Sequence, residues 1–285
     1  MNSQGKQFPF YSGASVWLAP GKRWKQCTHL VIAAHQDDVE IMAAYGILEC
    51  YKKQNKHLVA VVLTNGKSSP RAGHYAHWGP EKMAQERMKE QIRAAKLGGY
   101  LGVLQLGYDS SLLKSKKERK QVVDHLVKVI ASTSPAHVYL HNPFDKHLSH
   151  VAACYVGLEA LKKKSGKYKS VIGCEVWRGL DWLPDSQKIP MNVSERLHLQ
   201  KKLIQVYKTQ VQGGKKYDEG SLGRRLANAT FFESHRVDEA TALSFGVDLL
   251  PFVKNPKLSY SAFVKKHVQG FENELSSSLK TLSLR

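Results

Sequence analysis

Only four of the 285 residues are cysteine, and Cys27, Cys50, Cys154 and Cys174 lie far apart with no C-x-x-C pair among them. Neither a zinc ribbon nor a thioredoxin-like redox site is indicated by that spacing, so the four read as buried free thiols. Long apolar runs are missing too. No stretch approaches a membrane span, and residues 1–22 hold no apolar core behind a basic patch, so the start is not read as a signal peptide and a soluble, cytoplasmic protein is expected. Acidic residues are scarce: 24 Asp and Glu stand against 43 Lys and Arg, a net charge of +19 with a pI near 9.7. Such a surplus concentrates anions and suits an acidic substrate, a nucleic acid or an anionic surface. The lysines are scattered, however, over 114–120, 162–169, 201–202 and 215–216, with Arg224 and Arg225 beyond, and no nucleic-acid motif accompanies them, so nucleic acid is not expected as a partner. Internal repeats and long low-complexity segments are also absent.

At 42% hydrophobic and 24% charged residues the composition is that of an ordinary globular chain. One α/β domain over 1–285 is expected, with its core at about 28–180 and an irregular C-terminal extension at 181–285. Residues 1–27, with Phe8, Phe10, Tyr11, Trp17 and Trp24, read as an extended arm packed on that domain. Apolar runs at 30–34, 58–63, 103–106 and 137–141 have the length and continuity of buried strands, and helical spacing at 39–53, 80–96, 118–131 and 151–162 separates or follows them. That alternation predicts a doubly wound, mostly parallel sheet with helices on both faces. No G-x-G-x-x-G follows the first strand, which disfavours a dinucleotide. Further on, 177–190 reads as an irregular aromatic stretch, 194–207 as a capped amphipathic helix, 213–223 as a flexible loop, and the spacing of Phe263, His267, Phe271 and Leu275 as a last helix.

Two strand ends carry the chemistry. The first apolar run stops at His35-Gln36-Asp37-Asp38, and the fourth strand runs into Pro143-Phe144-Asp145-Lys146-His147-Leu148-Ser149-His150. A crevice at the carboxyl ends of parallel strands is where such folds bind ligands. His35 and Asp38, three apart, can face one point, as can His147 and His150. Either pair alone reads more simply as helix capping. Two pairs at two strand ends outweigh that reading. His35, Asp38 and His150 form a two-His, one-carboxylate set of the kind that leaves a coordination position open on a catalytic metal; one divalent ion is expected, zinc first, although non-haem iron uses the same ligand types. Asp37 is then placed as general base, and His147 can face a developing oxyanion.

The segment Ala34-His35-Gln36-Asp37-Asp38-Val39-Glu40, with the later P-x-x-x-H-x-x-H at 143–150, resembles the PIG-L or LmbE-like de-N-acetylases, whose signatures are A-H-P-D-D-x-E and that same spaced histidine pair. Arg87, Glu90 and the run Ala94-Ala95-Lys96-Leu97-Gly98 are similar to the family's R-x-x-E-x-x-x-A-x-x-L-G helix, and the likeness spans roughly residues 28–165. The resemblance implies a Rossmann-like sheet and a zinc-dependent hydrolase that removes acetyl from an N-acetylglucosamine-type sugar or conjugate. It carries over His35, Asp38 and His150 as zinc ligands, Asp37 as base, and His147 as the oxyanion contact and donor to the departing amine. Gln36 departs from the family, which commonly has proline there. Beyond residue 170 no shared motif is seen. Arg71, Arg225, Asn228 and His235 are candidates for contact with a sugar or anion, and His74 could join Arg71 at the crevice. The expected partner is a small N-acetylated sugar or conjugate, and the charge leaves room for an anionic one; self-association into a homo-oligomer stays open. Two other readings remain: an amidase or esterase acting on a non-sugar substrate, and a non-catalytic basic binding protein on the same scaffold.

Overall fold

The computed structural model describes residues 14–230, 232, 235–255 and 257–284. The apolar runs pair as strands because each is buried on both faces. The chain enters through β1 (Ser15–Leu18) and β2 (His29–Ala33), then α1 (Asp38–Met42), α2 (Ala44–Cys50), β3 (Leu58–Thr64), α3 (Pro80–Leu97) and β4 (Gly102–Tyr108). It continues through α4 (Ser110–Lys114), α5 (Arg119–Thr133), β5 (His137–His141), α6 (Leu148–Lys164) and β6 (Ser170–Cys174). The last part supplies β7 (Ile189–Asn192), α7 (Leu197–Gln205), α8 (Lys208–Val211), α9 (Tyr217–Thr230), β8 (Leu243–Asp248), α10 (Leu250–Lys254) and α11 (Tyr260–Thr281).

These strands form one eight-stranded sheet in the order β1-β4-β3-β2-β5-β6-β8-β7. Strands β4, β3, β2, β5 and β6 run parallel, with antiparallel β1 at one edge and β8 and β7 at the other. After β2 the chain builds outward through β3 and β4, then crosses back to lay β5 on the opposite side of β2. The order therefore reverses between β2 and β5, and a crevice opens beyond their carboxyl ends. Along β2, Leu30 and Ile32 join one core cluster while Val31 and Ala33 join the other. The first cluster packs α5, α6, α10 and α11 on one face; the second packs α1, α2, α3 and α7 on the other.

The α/β class and the parallel centre match the expectation from sequence, but the last third does not read as an irregular extension. Strand β8 pairs with β6 through Ile172↔Asp248 to Cys174↔Gly246, so residues beyond 181 complete the sheet. The segment expected as a loop at 213–223 is helical from Tyr217; Gly220 and Gly223 misled because glycine is a poor helix former, yet both sit where a Cβ would meet nothing within 4 Å. The helix expected at 39–53 is two helices, broken at Ala43 (φ −109°, ψ 29°). Helix α7 is entered through Arg196 in the left-handed region, and Ser194 does not cap it: its hydroxyl accepts from the backbone N–H groups of Thr241 (3.0 Å) and Ala242 (3.2 Å). Phe8, Phe10 and Tyr11 of the expected arm lie outside the described residues.

Gly46 in α2 lies so close to β5 that a Cβ would come within 2.7 Å of the Tyr139 ring, itself only 1% exposed. Gly46→Ala is therefore expected to lower stability by about 1–3 kcal/mol through overpacking, measured as a lower urea midpoint with an unchanged slope.

Candidate metal centre

Beyond β2 the backbone is pinned from both sides. The Thr64 N–H and hydroxyl both donate to the Ala34 carbonyl (2.9 Å each), and the Ala34 N–H donates to His141 Nε2 at the end of β5 (2.9 Å). The chain then turns into α1 through Asp37, a non-glycine residue at φ 79°, a conformation that persists only when neighbours enforce it. Arg87 of α3 does so: its guanidinium donates to the Gln36 carbonyl (2.5 Å), to Asp37 Oδ2 (3.1 Å) and to the Ser69 hydroxyl. Gln36, where the resembled family has proline, is fully buried and donates through Nε2 to the Thr64 carbonyl (3.2 Å) and to Gln105 Oε1 (3.1 Å), so hydrogen bonds hold what a ring would otherwise stiffen. Gly66 lies against this loop at φ +68°, where a Cβ would stand 2.5 Å from Gln36 Oε1. One turn along α3 from Arg87, Glu90 accepts from the Thr209 N–H (2.9 Å) and hydroxyl (2.5 Å). The R-x-x-E pattern thus ties α3 to the Asp37 turn and to α8.

The second loop comes from β5. His147 stands just before α6 and His150 lies in its first turn, three residues on and on the same side. Asp145 organises this loop with one carboxylate: Oδ1 accepts from the His147 N–H (3.0 Å), and Oδ2 accepts from His150 Nδ1 (3.3 Å) and from the Trp177 N–H (3.1 Å). The bond to Asp145 puts a His150 proton on Nδ1 and turns Nε2 toward Asp38 Oδ1.

The two loops meet. Asp38 Oδ2 accepts from the His35 N–H (2.7 Å) and lies 3.1 Å from His35 Nδ1, while Asp38 Oδ1 lies 3.4 Å from His150 Nε2. Asp38 is 1% and His150 0% exposed, and neither Asp38 Oδ1 nor His150 Nε2 has a hydrogen-bond partner among the described residues. At that distance the two atoms hold together only with positive charge between them, a proton on His150 Nε2 or a metal ion. Ligand atoms of Asp38, His141 and His150 lie within 4.8 Å of one another, and so do those of His35, His147 and His150. The donor set of nitrogen and carboxylate oxygen, with a carboxylate behind His150, suits a divalent transition ion. His141 is the member that sequence reasoning missed. It stacks on His150 with centroids 4.1 Å apart; as the last residue of a strand it carries no motif, although its place beside the His147 and His150 loop was the available signal. Its Nε2 already accepts from Ala34, so it supports the pair more than it opens toward the cleft.

Burial pushes the Asp37 carboxyl well above the usual range; the Arg87 guanidinium opposes this and the neighbouring Asp38 adds to it. For Asp38 burial acts in the same direction, but the His150 and His141 rings and the bond from His35 outweigh it and hold the carboxyl well below the usual range. Desolvation lowers His35, and desolvation with the His150 and His35 rings lowers His147 to about 4, so both imidazoles are neutral near pH 7.

His35, Asp37, Asp38 and His147 line one cleft with Asn65, Ser68, Lys114, Trp177 and Tyr217 among others. The four residues expected to contact substrate are not brought to it. Arg71 donates to the Lys67 carbonyl (2.7 Å) within its own loop. Arg225 is buried and donates to Gln200 Oε1 (2.8 Å) and to the carbonyls of Glu40 (2.9 Å) and Ile41 (2.8 Å), closing the C-terminal end of α1. Asn228 donates to Glu175 Oε1 (2.7 Å) and the Leu243 carbonyl (3.3 Å). His235 sits in an exposed turn, and His74 packs on Tyr75 and Trp78. Arg225 and Asn228 stand out by polarity in a stretch whose glycines give a helix the look of a loop.

A histidine and carboxylate cluster at the switch point of a doubly wound sheet, with a further buried acid beside it, places the chain among α/β proteins with a candidate site at the carboxyl ends of their parallel strands. Residues 30–161 match the family model described as PIG-L: GlcNAc-PI de-N-acetylase. No curated protein matches the chain. Solved structures with the same fold include the conserved protein TT1542 of Thermus thermophilus, at 18% identity and TM-score 0.60, covering 82% of this chain and 99% of that one. GalB, the 4-carboxy-2-hydroxymuconate hydratase of Pseudomonas putida KT2440, has the same identity and TM-score, with 82% and 98% covered. N,N'-diacetylchitobiose deacetylase of Pyrococcus horikoshii is similar at 15% identity and TM-score 0.61, covering 81% and 87%. One fold thus carries names of different activities, and the site has to decide between them. Among the described residues no helix is long and apolar enough to cross a membrane.

Arg225→Met removes three internal bonds and is expected to cost about 2–4 kcal/mol of stability. Thermal melting should show the loss, while KM of the remaining folded enzyme stays unchanged; a raised KM with unaltered melting would instead make Arg225 a substrate contact.

Proposed function

We propose that this chain is a metal-dependent de-N-acetylase, a hydrolase that removes the acetyl group from an N-acetylglucosamine-type sugar or conjugate, with one zinc ion held by His35, Asp38 and His150. The observation that carries the reading is the pair of unpartnered buried atoms, Asp38 Oδ1 and His150 Nε2, 3.4 Å apart beside a carboxylate of raised pKa. The match of residues 30–161 to a family named for de-N-acetylation supports the choice of reaction.

Zinc bound there would polarise the amide carbonyl and make water a stronger acid. Asp37 lines the cleft with Oδ2 held by Arg87, and its raised affinity for protons suits it to take one from the attacking water. His147 stands at the rim with its ring 5.1 Å from that of His35 and 4.6 Å from that of His150. Being neutral, it offers an N–H to the carbonyl oxygen as negative charge develops there and holds no spare proton. The proton that the departing amine needs is then the one Asp37 has collected. Asp145 keeps His150 in the tautomer that binds a metal.

The same fold in GalB bears the name of a hydratase, so acetate release is the deciding readout and activation of water alone is not. Purified protein is expected to contain zinc and to free acetate from N-acetylglucosamine conjugates, with activity lost to a chelator and restored by zinc. His150→Ala should lose the metal. Asp37→Asn should keep it while kcat falls by about 100-fold or more. Full turnover in Asp37→Asn would remove the base assignment, and a wild type with no affinity for zinc would defeat the whole reading.

A further inference from the structure

The cleft is polar almost throughout. Around the histidines and acids it is lined by Asn65, Ser68, Lys114 and Gln210, and among the described residues Trp177 and Tyr217 supply its indole and phenol rings. Both are half-buried, and their ring centroids lie 4.7 Å apart at an interplanar angle of 43°. The indole is not placed at random. Its backbone N–H is held by Asp145 Oδ2, the oxygen that also orients His150, and its ring stacks over His150 at 6.1 Å and 23°. His141, His150 and Trp177 therefore form one column of near-parallel rings that starts in the core and ends at the cleft. Tyr217 enters from the other direction, at the start of α9, the helix for which the sequence carries no shared motif.

We infer that Trp177 and Tyr217 form an aromatic wall that receives the C–H face of a pyranose ring, placing its N-acetyl arm over the His35, Asp38 and His150 cluster; this rests on the reaction proposed above and narrows its substrate class. A wall with one apolar face and polar residues around it suits a ring that is apolar on its face and bears hydroxyls on its rim. A flat aromatic ligand fits less well, because rings tilted by 43° do not make a two-sided sandwich. An acyclic N-acetyl amide would reach the metal ligands without using the wall at all. Trp177 and Tyr217 are thus specificity residues: they bind the ring and take no part in bond making.

The test compares N-acetylglucosamine with N-acetylethanolamine as substrates of the zinc-loaded protein. Trp177→Leu is expected to lower kcat/KM for the sugar by tenfold or more beyond any loss on the acyclic amide, the extra loss falling mainly on KM. Tyr217→Leu should do the same to a smaller degree, and it decides the matter if Trp177→Leu fails to fold by circular dichroism. Equal losses on both substrates, or none on either, would overturn the wall. Binding is measured separately, by the change in tryptophan fluorescence as N-acetylglucosamine is added. That change should be present in the wild type and absent in Trp177→Phe. A wild type that binds the sugar in this way but frees no acetate would sink the proposed reaction and leave the wall standing; one that frees acetate but shows no sugar-dependent change lost in Trp177→Phe would sink the wall alone.

Discussion

Everything at the cleft depends on one contact, the carboxylate oxygen of Asp38 facing Nε2 of His150 across 3.4 Å of buried space. With no positive charge between them two such atoms would separate, since each forfeits hydration and gains no partner. They stay because their own supports are strong. Asp38 is gripped by the backbone and ring of His35, and His150 is gripped by Asp145. The fold holds two candidate ligands in place in advance, so a cation entering the site would meet groups that need little rearrangement.

A second constraint lies beside the first. Asp37 occupies a backbone conformation unfavourable for any residue with a Cβ, and Arg87 secures it by binding both its side chain and the carbonyl before it. The buried guanidinium therefore sets where the Asp37 carboxyl stands and moderates how far burial raises its pKa. Glu90, one turn away, fastens the same helix to α8. Through these two side chains α3 links the turn that carries Asp37 to the C-terminal elements, although α3 contributes no ligand to the cluster itself.

The motifs at 34–40 and 143–150, and the strands that deliver them, were legible because each is local. A short run of buried apolar residues reads as a strand wherever it occurs, and a pair of polar residues three apart at a helix start reads as convergent. The C-terminal third was less legible. β8 is recognisable only by pairing with β6, across about seventy residues of sequence, and glycines made α9 look like a loop. For the same reason Arg225 and Asn228 looked free in the sequence. In the structure they carry the internal bonding of α1 and β8.

By itself, then, the sequence determined the class of fold, the two junctions that bear the candidate groups, and the identity of His35, Asp37, Asp38, His147 and His150 as those candidates. Tertiary structure alone decided which atoms face one another: that β2 and β5 are neighbours at the point where strand order reverses, that His141 joins the cluster, and that Trp177 closes a column of rings at its mouth. Spacing along a chain is set by covalent geometry and can be read residue by residue. Facing across a cleft is set by packing between segments a hundred residues apart, and no local pattern records it.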